Sequence, residues 1–169
     1  MKQILWFVKT YATLVVLFVL QKPLFLILEK GAATQPIDNI FADMPAVIWH
    51  GLPLDLSMAG YLSVIPGIMS IAAVWFKKDL IRPIMNVYFV IVSLIITCSF
   101  LVNASLYPYW KYPLDSTPLF YFLTSPADAI ASVSIWQVVL TLLIWIVLTV
   151  AIWFLIRMRG EKRSYHSRY

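Results

Sequence analysis

Two ionisable side chains interrupt otherwise apolar sequence: Lys22, within LQKPLF, and Asp55, within LPLDLSMAG. A charge among apolar residues is costly in lipid and is usually paired or turned toward a polar cavity. The opposite signs suit an ion pair, completed by the Ser57 hydroxyl. An alternative gives each charge a local task, with Lys22 stretching to the headgroups and Asp55 capping a helix. A second group lies in LYPYWKYPLD, where Tyr107, Tyr109, Trp110, Lys111 and Asp115 set aromatic rings beside a cation and a carboxylate. Such rings settle at a membrane–water boundary. The same set also suits docking of a lipid headgroup or of a folded domain. His50 and His166 stand alone, with no His, Cys or carboxylate partner at ligand spacing, so no metal site is expected. The single cysteine, Cys98, lies in an apolar run and reads as a packing residue, with no disulfide framework around it.

The elements that must position these residues follow from composition. The chain has 169 residues, of which 62% are hydrophobic and 12% charged, and its mean hydropathy is +0.84. A soluble domain of this size cannot hide so much apolar surface. Four apolar runs, at about 4–28, 54–76, 84–102 and 135–156, are each near the ~20 residues that cross a bilayer core. Without water to satisfy the backbone there, each must be a helix. The fold class expected is therefore all-α: a polytopic membrane protein with four transmembrane helices and short interfacial helices on the outer face. A cleaved signal peptide is the weaker reading of the first run, which is too long and lacks a small-residue cleavage site. Pro23 predicts a kink in it. Gly60 and Gly67, with Ala59, Ala72 and Ala73, suit the second span to close helix packing, and Asn86 and Asn103 suit interhelical hydrogen bonds or caps.

Orientation comes from Lys and Arg. With four spans, Lys2, Lys9, Lys77, Lys78, Arg82, Arg157, Arg159, Lys162, Arg163 and Arg168 share one side, against Lys30, Lys111 and the nearby Lys22. The positive-inside rule then puts both termini and the 77–82 turn in the cytoplasm, with 29–53 and 103–134 facing outward. Residues 1–157 form the transmembrane domain and 158–169 a basic cytoplasmic tail or connector. The formal net charge of +5 lies in short runs beside spans, so it sets topology and implies no nucleic-acid partner. Within 37–50, a short surface helix is expected, with Trp49 at the headgroups and Gly51 as its C-terminal stop. Thr117 and Pro118 read as an N-cap followed by proline at the first helical position. Ser125, Pro126 and Asp128 repeat that form with an acidic third residue, and predict a second short helix from 126 to about 132.

Three segments carry a resemblance: GLPLDLSMAGYL (51–62), NASLYPYWKYPLDSTPLFYFLTSPADAIASVS (103–134), and Lys22 with Phe25. Together they resemble the membrane domain of the lipoteichoic acid synthase-like family, bacterial membrane-anchored sulfatases and phosphoglycerol transferases of the alkaline phosphatase superfamily. The family's glycine–aromatic–arginine before the Leu–Asp pair reads Lys111, Tyr112, Pro113 here. The resemblance implies five spans followed by an extracytoplasmic catalytic domain, with a Thr or modified Cys/Ser nucleophile and a divalent metal, manganese or magnesium. None of that set is identified in this chain. The chain is thus expected to be the N-terminal portion of such a protein, ending in the connection after span four, without catalytic residues or a cofactor of its own. Its implied role is a membrane anchor and platform, in the bacterial inner membrane, for a sulfatase or phosphoglycerol/phosphoethanolamine transferase acting on lipids or surface glycans. Its implied partners are the bilayer, lipid headgroups and its own catalytic domain. A stand-alone, non-catalytic four-span scaffold or partner subunit stays open as an alternative. So does a small transporter, although no span carries a polar stripe and the two halves show no repeat.

Overall fold

The computed structural model describes residues 2–30, 40–75, 78–111, 115–125 and 134–161. They form five helices: α1 (Lys2–Leu28), α2 (Ile40–Ala72), α3 (Lys78–Trp110), α4 (Thr117–Thr124) and α5 (Ile135–Glu161). All but α4 are long and apolar enough to cross a membrane. The chain is an all-α, four-span membrane protein.

The spans alternate in direction. Lys22 of α1 meets Gly51 and Asp55 of α2, whereas Phe7 at the other end of α1 lies against Gly67. The α3–α5 pair is antiparallel in the same way and is stitched at three depths. Trp153 Nε1 donates to Asn86 Oδ1 at 3.1 Å, Trp145 Nε1 donates to the Leu94 carbonyl at 3.3 Å, and the Thr97 and Thr149 hydroxyls share a 2.8 Å bond. Bonds of this kind between membrane helices contribute about 0.6 kcal/mol each on average. Leu14, Ala59, Met85, Phe89, Val92, Ile96 and Ile156 form the buried core, and the outward faces of the spans stay apolar and open.

The surface helix expected within 37–50 is not a separate element. Ile40 to Ala72 is one helix, through Pro45, Gly51, Pro53 and Pro66. Each proline deletes one backbone bond, whereas ending the helix in lipid would leave several groups unsatisfied. At about 1.5 Å per residue, its 33 residues run to about 50 Å, longer than a ~30 Å hydrocarbon core. The same holds for α3, which carries on through Pro108 to Trp110. Tyr107, Tyr109 and Trp110, expected in the outward-facing connection after the third span, therefore occupy the last turn of a helix. That helix ends at Lys111, whose φ of 63° is left-handed and whose N–H closes on the Tyr107 carbonyl at 2.9 Å.

The freed carbonyl that matters most has a designated donor. Pro66 leaves the Leu62 carbonyl without its helical partner, and the Tyr88 hydroxyl from α3 donates to it at 2.7 Å. On its α1 side, α2 shows a period of four: Gly51, Asp55, Ala59, Ser63 and Gly67. Asp55, Ala59 and Ser63 are buried, and Gly51 and Gly67 lie beneath Lys22 and Phe7. Small residues at this spacing let two membrane helices approach closely. Gly60, expected to share that packing, is off the seam, since a Cβ there would meet nothing within 4 Å.

Candidate functional site at the Lys22 end of the bundle

Lys22 and Asp55 form an ion pair across the α1–α2 seam. The Lys22 Nζ also reaches the Gly51 carbonyl oxygen at 3.4 Å. The side chains are 21% and 9% exposed, so the pair is largely withdrawn from solvent. Helix geometry explains why these residues meet. Gly51 and Asp55 stand one turn apart on the same face of α2, and the absent Cβ of Gly51 leaves room for the Lys22 stem. Ser57 takes no part: its hydroxyl is exposed and donates to the Pro53 carbonyl of its own helix at 2.9 Å. That bond is available because Ser57 is four residues after Pro53, on a different face from Asp55.

The end of α1 is also tied to α3. Phe25 meets Tyr107 edge to face with ring centroids 5.1 Å apart. One turn further on, Glu29 is buried at the close of α1, and its N–H bonds the Phe25 carbonyl at 2.9 Å. Burial pushes the Glu29 carboxyl above its ordinary value, and the positive charge of Lys111 opposes that rise. The ends of the two helices thus meet through an aromatic contact, with the charge of Lys111 acting on Glu29. Lys111 itself is exposed.

Asp115 has a structural task. Its Oδ1 accepts the Thr117 N–H at 2.9 Å, and its Oδ2 accepts the Thr117 hydroxyl at 2.8 Å. The first helical bond of α4 runs from the Phe120 N–H to the Ser116 carbonyl at 3.1 Å, so Ser116 is the cap residue and Thr117 the first helical one. The helix expected to open on Thr117 as its cap is shifted by one residue, and the carboxylate of Asp115 does the capping. The short helix expected from 126 to 132 lies outside the described residues. Ser134, beyond it, caps α5: its carbonyl takes the Val138 N–H, and its own N–H donates to Gln137 Oε1 at 3.1 Å.

The remaining reactive side chains are placed elsewhere. His50 Nδ1 lies 2.8 Å from the Ala46 carbonyl of its own helix, and Cys98 sits on an exposed face of α3. His166 lies outside the described residues. Among the described residues, no group of three His, Cys, Asp or Glu side chains could hold a metal ion. Tyr109 and Trp110 belong to the last turn of α3. What this end of the bundle offers is a neutralised charge pair, an aromatic contact and a capped short helix.

By residue type Gly51 reads as a helix stop and not as part of this site, and Glu29 does not stand out. Gly51 has a signal in hindsight, the four-residue period it shares with Asp55, Ala59, Ser63 and Gly67. Glu29 has none. No family model matches this chain, and neither a curated protein nor a solved structure does.

Proposed function

We propose that this chain is the membrane anchor and platform of an extracytoplasmic sulfatase or phosphoglycerol/phosphoethanolamine transferase in the bacterial cytoplasmic membrane. In this reading the Lys22 end faces outward and both termini face the cytoplasm. The catalytic domain, with its nucleophile and its manganese or magnesium, lies beyond this chain in a longer polypeptide. One observation supports the reading above the others. The three segments that carry the family resemblance are far apart in sequence yet meet at one end of the bundle. Lys22 contacts Gly51 and Asp55, and Phe25 of the same helix contacts Tyr107. By the distribution of Lys and Arg, that is also the end that faces outward. Residues spent on holding one end of three helices together suit a platform on which lipid substrates and a tethered domain are brought into register.

Two measurements test this. The coding sequence downstream of Tyr169 should continue into a further apolar span and a large domain. A stop codon at that point in the intact gene would overturn the anchor and leave a non-catalytic scaffold. Separately, Ser116, exposed beside the start of α4, should when changed to Cys be labelled by a membrane-impermeant thiol reagent added to intact cells. Labelling only after the membrane is breached would reverse the orientation.

A further inference from the structure

The helix α4 is an oddity in this molecule. It has eight residues, TPLFYFLT, with no charge among them. Isolated helices shorter than about 12–15 residues are marginal in water. Yet among the described residues α4 packs against none of the four long helices. Phe120 and Leu123, three residues apart and so on one face, are 65% and 71% exposed. Something outside the described residues must cover that face.

We propose that the cover is lipid: α4 lies in the leaflet at the Lys22 end, with Phe120 and Leu123 entering the acyl-chain boundary. Three observations select lipid over a protein partner. First, α4 is tethered on both sides to membrane spans, to one that ends at Pro108 and to one that begins at Ile135. Second, the hydroxyls of its two threonines are bonded locally. The Thr117 hydroxyl and N–H are both taken by Asp115, and the Thr124 hydroxyl donates to the Phe120 carbonyl at 2.8 Å. A segment entering lipid needs that closure, whereas a protein interface usually directs some hydrogen-bonding groups across to its partner. Third, the apolar surface is continuous in kind with the start of α5, where Ile135 and Trp136 are 83% and 72% exposed on a span. An interfacial helix of this sort anchors the 111–134 connection to the membrane plane. The inference goes beyond the anchor reading and stands whether or not an enzyme follows.

The test uses the full chain with Cys98 changed to Ser, carrying Leu123→Cys or, as an independent second position, Phe120→Cys. Each is labelled with an environment-sensitive fluorophore and placed in vesicles of phosphatidylethanolamine and phosphatidylglycerol. The expected result at both positions is blue-shifted emission, weak quenching by aqueous iodide, and stronger quenching by lipids spin-labelled near the headgroup than near the chain terminus. Water-like emission with full iodide access would overturn the proposal. So would a blue shift that no spin-labelled lipid quenches, since protein would then cover the face.

Discussion

Lys22 lies across the backbone of Gly51, with its Nζ 3.4 Å from the Gly51 carbonyl oxygen and its charge on Asp55 one turn further along α2. A Cβ at position 51 would collide with Lys22 Cε and stand 2.8 Å from Nζ. The lysine thus takes a path to the carboxylate that only a residue without a side chain leaves open. The missing atom lets the lysine stem lie flat between the helices, so that the ammonium approaches a carboxylate it would otherwise face only from a distance.

Gly51→Ala should for that reason destabilise the bundle, although alanine is the better helix former by about 1 kcal/mol. The flexible end of the lysine can swing aside at little packing cost, so the loss is that of the ion pair it leaves, and a carboxylate deprived of its cation outweighs the helix gain. The expected outcome is a lower Tm in detergent. The same change at Gly60, which meets nothing within 4 Å, should leave Tm equal or raise it.

Removing one partner of the pair should cost far more than removing both. Lys22→Met leaves the Asp55 carboxylate withdrawn from water without its cation, a loss of about 3–5 kcal/mol. Lys22→Met with Asp55→Leu should recover most of it, because neither charge then needs solvation. Exchanging the charges, Lys22→Asp with Asp55→Lys, should recover only part, since the new lysine no longer grows across Gly51. Equal losses in the single and double variants, read as Tm, would refute an energetic coupling.

The four spans were legible because twenty or so apolar residues without water admit only a helix. Lys22 and Asp55 stood out by their charge against that background. Punctuation was what misled. Gly51 reads as a stop under a rule taken from water, where a freed carbonyl turns to solvent. In lipid the helix continues, and at Pro66 a neighbour supplies the missing donor. Thus α2 absorbs the segment around Trp49, and α3 absorbs Tyr107 through Trp110. Ser57 joined the pair on paper by nearness in sequence, but two residues along a helix point well away from each other. No residue type foretells the burial of Glu29, and Asp115, a capping residue by type, lies one residue outside the cap position that its α4 start assigns to Ser116.

Tyr88 gives a direct measure of such a supplied donor. Tyr88→Phe removes only a hydroxyl, yet it leaves the Leu62 carbonyl unbonded where Pro66 has no N–H to give. The expected loss is about 1–3 kcal/mol. In a Pro66→Ala background the alanine N–H can take that carbonyl, so Tyr88→Phe should cost clearly less. The cavity left by the buried Pro66 is common to both members of that background and cancels in the cycle. Equal costs in the two backgrounds would show that the hydroxyl serves something other than the proline gap.

Glu29 should make stability depend on pH in a direction opposite to that of most paired carboxylates. Burial raises its pKa above the ordinary 4.5, and Lys111 opposes the rise without cancelling it. Its place at the close of α1 adds the unfavourable negative end of the helix dipole. Between 4.5 and the raised value, the native state keeps a proton that the unfolded chain has lost. Stability therefore falls as pH rises through that window. Glu29→Gln has no carboxylate to desolvate and should be the more stable protein at neutral pH, with the gap closing as the wild type is protonated in acid. Lys111→Met withdraws the opposing attraction and should steepen the wild-type loss. The measurement is Tm against pH in detergent for the three proteins. A Glu29→Gln variant less stable than wild type at neutral pH would mean that the attraction to Lys111 outweighs burial.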